Sequence, residues 1–160
     1  MTTPNDSRLE VRKTVEVSLP AAAAFTLFTS RMREYWPAEH SIGASAFIDV
    51  VVEPHVGGRW FERGTDGAEC VWGEVVAWEP PARLVLDWQV SATWQYDADL
   101  HTQLEITFTP VGETVTRVDL RHGGLENYGD RAEEMRALFD SPGAWAGTLA
   151  RFAGAANAVA

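Results

Sequence analysis

The sequence is poor in three things, and each shortage narrows what the chain can be. Cys70 is the single cysteine, so an internal disulfide is excluded and a reducing compartment fits. Lys13 is the single lysine, and thirteen basic residues stand against twenty-three acidic ones, for a formal charge of −10. A nucleic-acid binder needs a basic stripe and an anionic lipid surface attracts a basic patch; neither is visible, so neither partner is expected. No apolar run approaches the ~20 residues that a membrane-spanning helix requires. The opening Met-Thr-Thr-Pro-Asn-Asp-Ser has no hydrophobic region, so export is not expected and the cytoplasm is the expected location. The histidines at 40, 55, 101 and 122 show no metal-ligand spacing. No glycine-rich phosphate loop and no serine-triad motif occurs, so neither a metal nor a cofactor is expected.

What remains is a chain of 160 residues, 46% hydrophobic, enough for one domain around one core. Residues 1–7 are expected to fray, and 8–157 to form that domain. Leu9, Val11, Val15, Val17 and Leu19 share one parity, the pattern of a half-buried strand, and Lys13 falls on the same parity. Pro20 opens an alanine-rich helical segment in which Phe25, Phe28, Met32 and Trp36 recur at helical spacing before Pro37 ends it. From about Phe47 to His122 the chain reads as strands joined by turn signals, although Ser91–Leu100 fits no pattern. Asp130 can cap a helix, and Ser141-Pro142 reads as a second cap. Trp145, Leu149, Phe152, Ala153 and Ala156 then form one helical stripe. The fold class is α+β.

Three of the seven tryptophans fall within Trp72–Trp88, and pairing register assigns each ring a face. A two-residue turn at Asp66-Gly67 sets Trp60 opposite Gly73, Glu62 opposite Val71, Phe61 opposite Trp72 and Arg63 opposite Cys70. A four-residue loop Glu79–Ala82 sets Trp78 opposite Arg83 and Gly73 opposite Trp88. A loop at Val111–Glu113 sets Thr102 opposite His122. In these registers Trp60, Glu62, Trp88 and His122 point inward, whereas Trp72, Trp78 and Cys70 point outward. Lys13, Glu62 and His122 are then ionisable groups on apolar faces, which must pair, neutralise or meet water. They are satisfied either at the sheet rim and by core hydrogen bonds, or by a cavity.

The run Val56-Gly-Gly-Arg-Trp-Phe-Glu-Arg-Gly64, the pattern Gly73-Glu-Val…Glu79-Pro-Pro…Leu84-Val-Leu-Asp-Trp88 and the ending Ser141-Pro-Gly-Ala-Trp145…Leu149 resemble the SRPBCC (START-like, Bet v 1-like) superfamily. Within it the chain is similar to the branch of Hsp90-ATPase-activator-homologue-1-like proteins, over about residues 8–157. The resemblance implies a helix-grip fold, in which a curved antiparallel sheet grips a long carboxy-terminal helix across a cavity. No catalytic signature of the superfamily's enzymes maps onto this sequence.

Three functions follow as expectations. The first is binding of a small apolar or aromatic molecule by Trp36, Trp60, Glu62, Trp88, His122, Trp145 and Leu149. The second is a cyclase or hydrolase-like enzyme with His122 as acid or base and Glu62 as its partner. The third is a co-chaperone-type interaction module, or a homodimer, formed through an outward patch of Phe61, Trp72 and Trp78.

Overall fold

The computed structural model describes residues 9–37, 40 and 47–159, so the expected frayed tail at 1–7 lies outside the described residues. Seven strands and three α-helices follow in chain order. They are β1 (Val11–Val17), α1 (Ala21–Ser30), β2 (Phe47–Val52), β3 (Arg59–Gly64), β4 (Glu69–Glu79), β5 (Arg83–Trp88), β6 (Thr102–Gly112), β7 (Val115–Gly123), α2 (Ala132–Asp140) and α3 (Trp145–Val159). All pairings are antiparallel, in the order β1-β7-β6-β5-β4-β3-β2. The sheet curls around α3 as a half-barrel, the helix-grip arrangement. No described helix is long and apolar enough to cross a membrane.

Local chemistry explains the helix limits. Pro20 sits at the N-cap of α1, its carbonyl accepting the Ala24 amide at 2.9 Å, and a short 3₁₀ turn at Met32–Glu34 follows the helix. Asp130 does not cap α2; it lies in a 3₁₀ stretch, Leu125–Arg131, that runs into the helix. Ser141 closes α2 rather than opening α3: its hydroxyl donates to the Leu138 carbonyl at 2.6 Å, satisfying an end-of-helix acceptor. The residues from Ser141 to Ala144 therefore form a break between α2 and α3.

The registers account for which rings are inside. In β6–β7, Leu104 pairs with His122, two residues from the expected partner Thr102. A slip of two preserves every face, because side chains alternate with period two, so His122 still points inward. In β4, two bulges change the outcome. Trp60 pairs with Gly73 as expected, but Phe61 then pairs with Val71, leaving Trp72 as the extra residue. A second bulge at Val76 sets Trp78 opposite Leu84 instead of Arg83. Each bulge re-aims one side chain.

Trp72 and Trp78 consequently face inward. Trp72 is 1% exposed among Trp36, Trp60 and Trp88, and Trp78 packs edge-on against Phe25 of α1 at 5.1 Å. Gly73 makes the first bulge feasible, because a Cβ there would overlap the Asp87 carbonyl oxygen of β5.

The outward patch expected from Phe61, Trp72 and Trp78 does not form. Phe61 alone lies on the outer face, and it is buried there under the guanidinium groups of Arg59 and Arg63, 4.3 and 5.5 Å from the ring centre. Cys70 also moves: it pairs with Glu62, and burial together with that nearby carboxylate pushes its thiol up. Lys13 reaches the sheet rim and pairs with Asp140 at 2.7 Å.

Candidate functional site

The break between α2 and α3 leaves a cavity of about 510 Å³ under the last residues of β5. Trp88 comes from the end of β5, and Trp36 and His40 from the segment after α1. Trp94 comes from the β5–β6 loop, Leu138 and Phe139 from α2, Ser141, Gly143 and Ala144 from the break, and Trp145 and Thr148 from α3. The walls are largely aromatic: Trp88 meets Trp145 edge-on at 5.5 Å and Phe139 at 6.1 Å, and Trp36 meets Trp145 at 5.8 Å. Such rings offer large flat surfaces to a planar guest.

The seven residues singled out from sequence split into two layers. Trp36, Trp88 and Trp145 line the cavity, while Trp60, Glu62, His122 and Leu149 are buried outside its wall. The second layer holds the first in place. Trp60 sits 6.0 Å from Trp36 and 5.4 Å from Trp88, and its indole NH donates to the Met32 sulfur at 3.3 Å. Glu62, 1% exposed, accepts the Trp72 indole NH at 3.0 Å, and Trp72 lies 4.8 Å from Trp36. Leu149 is packed in the core below α3.

His122 is fully buried, and burial alone holds its imidazole down to about 3, so it is neutral in ordinary buffers. Its tautomer follows from its partners. The Thr102 hydroxyl donates its one hydrogen to the Trp88 carbonyl at 2.8 Å, so Nε2–H of His122 must donate to Thr102 Oγ1 at 2.8 Å. The Nδ1 lone pair accepts the Trp145 indole NH at 3.0 Å. Both ring nitrogens are engaged, and neither faces the cavity. His122 and Glu62 thus do not form the acid–base pair expected at the pocket; they orient Trp145 and Trp72 instead.

Sequence reasoning missed His40, Trp94, Phe139 and Thr148. His40 is the only titratable side chain among the described lining residues, with its ring 6.4 Å from Trp36. Trp94, 43% exposed at the mouth, holds a positive φ of 64°, a backbone conformation that costs a bulky residue about 1 kcal/mol or more. Its signal was hidden in a loop without periodicity. Thr148, by contrast, was legible as the one polar residue beside the apolar stripe of α3. Among the described residues no cluster of three or more metal-ligating side chains occurs.

The model of the activator of Hsp90 ATPase homolog 1-like proteins matches residues 18–155. The chain belongs to that family. No curated protein matches it by sequence. Among solved structures, the anthrahydroquino-γ-pyrone synthase Txn09 complexed with SUM is 40% identical, with 91% of this chain and 95% of that one covered and a TM-score of 0.64. The self-sacrificing resistance protein CalC from Micromonospora echinospora is 25% identical over 94% of this chain and 95% of that one, with a TM-score of 0.71. The Aha1 dimer from Colwellia psychrerythraea, 12% identical over 92% and 96% with a TM-score of 0.61, shares the fold. Membership of this family carries the helix-grip fold.

Proposed function

We propose that this protein binds a planar polycyclic aromatic molecule of the polyketide type and closes an oxygen-containing ring on it. The observation that carries the reading is the cavity itself, walled by Trp36, Trp88, Trp94, Phe139 and Trp145 with a single imidazole, His40, at its lining. Likeness at 40% identity to a γ-pyrone synthase supports the choice of guest. Aromatic walls hold a flat ring system and exclude water, while His40 moves the proton. In such a closure a phenol oxygen attacks a side-chain ketone carbon. The imidazole takes the phenol proton and gives it to the ketone oxygen, leaving a hemiketal hydroxyl. It then takes a proton from the CH₂ between the two carbonyls and gives it to that hydroxyl as it departs, so the ring C=C forms and one water leaves with no change in oxidation state. The single cysteine and the acidic composition fit a cytoplasmic setting.

The test is incubation with an anthracene phenol bearing an ortho 1,3-diketone chain, followed by mass spectrometry. The reading expects a product one water lighter, formed faster than in buffer, with turnover lost in His40→Ala while substrate binding persists. Binding without any acceleration would remove the enzymatic half and leave sequestration. That second reading has its own support in the 25% identity to a resistance protein and in the engagement of both His122 nitrogens.

A further inference from the structure

Hydrogen-bond donors around the aromatic core divide sharply according to where they point. Trp60, Trp72 and Trp145 give their indole NH groups to the Met32 sulfur, the Glu62 carboxylate and His122 Nδ1. The Trp36 indole NH is buried with no partner among the described residues, and so is the Thr148 hydroxyl. Both side chains line the cavity. Trp88 Nε1 has the Tyr128 phenol beside it, but no partner at hydrogen-bond geometry.

Two helical threonines make the contrast plain. Thr29 of α1 is 3% exposed, and its hydroxyl donates to the Phe25 carbonyl one turn back at 2.8 Å, the usual way to satisfy such a group. Thr148 of α3 is 2% exposed and makes no such bond. Buried polar groups in folded proteins are paired in the great majority, and an unpaired one costs about 1–3 kcal/mol. Three such groups, Trp36 Nε1, Trp88 Nε1 and Thr148 Oγ1, belong to residues that line one cavity. With the Tyr128 phenol beside Trp88 Nε1, Trp36 Nε1 and Thr148 Oγ1 are the two left for an acceptor that a guest would bring.

From this arrangement, and resting on the binding reading above, we infer that Trp36 Nε1 and Thr148 Oγ1 select a neutral, carbonyl-bearing aromatic over a hydrocarbon of the same shape. A neutral acceptor fits better than a carboxylate, because among the described residues no lysine or arginine lines the cavity and the chain carries a charge of −10. A hydrocarbon entering the cavity leaves both donors unpaired, whereas a ketone or quinone oxygen supplies the acceptor they lack.

The test compares two flat tricyclic probes, 9-fluorenone and fluorene, by calorimetric titration of the whole protein. Wild type is expected to bind fluorenone about tenfold more tightly than fluorene, the worth of one neutral hydrogen bond set against one unpaired donor. Thr148→Val keeps the side-chain shape, and Trp36→Phe keeps an aromatic wall. Each should shrink that preference, read as the ratio of the two affinities within the same protein, whatever the variant does to fluorene affinity itself. Equal affinity of wild type for both probes, or a preference unchanged in both variants, would overturn the inference with the binding reading intact. No binding of either probe would overturn both.

Discussion

The indole NH of Trp145 donates to Nδ1 of His122 at 3.0 Å, and this bond fixes a cavity wall by means of a buried, neutral imidazole. The histidine is thereby a holder of the site rather than its reagent. Its other nitrogen is tied through Thr102 to the backbone of Trp88, so two wall tryptophans share one anchor.

That anchor makes stability sensitive to mild acid. The folded-state imidazole sits at about 3, below the ordinary value of 6.5, so between these limits the unfolded chain binds a proton that the folded one refuses. Stability is complete above about pH 6.5 and falls with acidification by up to ~1.4 kcal/mol per pH unit from this group. Urea denaturation between pH 7 and 5 should show the loss, and His122→Gln should flatten the slope even where it lowers stability overall. An unchanged slope would mean that the imidazole is protonated in place.

Gly73 is expected to tolerate no side chain. A Cβ would meet the Asp87 carbonyl of the neighbouring β5, a backbone group that cannot swing aside, next to the β3–β4 bulge that turns Trp72 inward. Gly73→Ala should cost at least ~3 kcal/mol or prevent folding, the scale of the larger backbone and packing losses, whereas Gly67→Asn in the exposed β3–β4 turn should cost little. Thermal denaturation followed by circular dichroism reads both.

At the mouth, fold and function should separate. Trp94→Gly relieves a positive φ of 64° at a site already 43% exposed, so the melting temperature should hold or rise. Affinity for a polycyclic phenol should nevertheless drop severalfold through loss of one wall. A fall in stability with affinity unchanged would assign the ring to packing alone.

How far the sequence reached depended on which signals are periodic. Inward faces for Trp60, Glu62, Trp88 and His122 followed from alternation, which survives a slip of two residues. The fold class followed from element order and from motif resemblance. The bulges at Trp72 and Val76 break alternation at a single residue and leave no repeating trace. One hint was present in Gly73, since glycine within a strand pattern marks close backbone approach. The site was harder to read because half of it comes from non-periodic chain. His40, Trp94 and Gly143 reach the cavity through connections, and the inward side of a strand does not distinguish a ring at the wall from one behind it.

Gly143 provides the most direct test of the cavity as a binding site. A Cβ there meets nothing within 4 Å, so Gly143→Phe projects a ring into space that a ligand would use while leaving the core intact. Tryptophan fluorescence of both proteins would be titrated with 1,8-dihydroxyanthraquinone. Saturable quenching of the wild type, weakened about tenfold or more in Gly143→Phe at unchanged thermal stability, is the predicted result. Equal quenching in the two proteins, or none in the wild type, would contradict it.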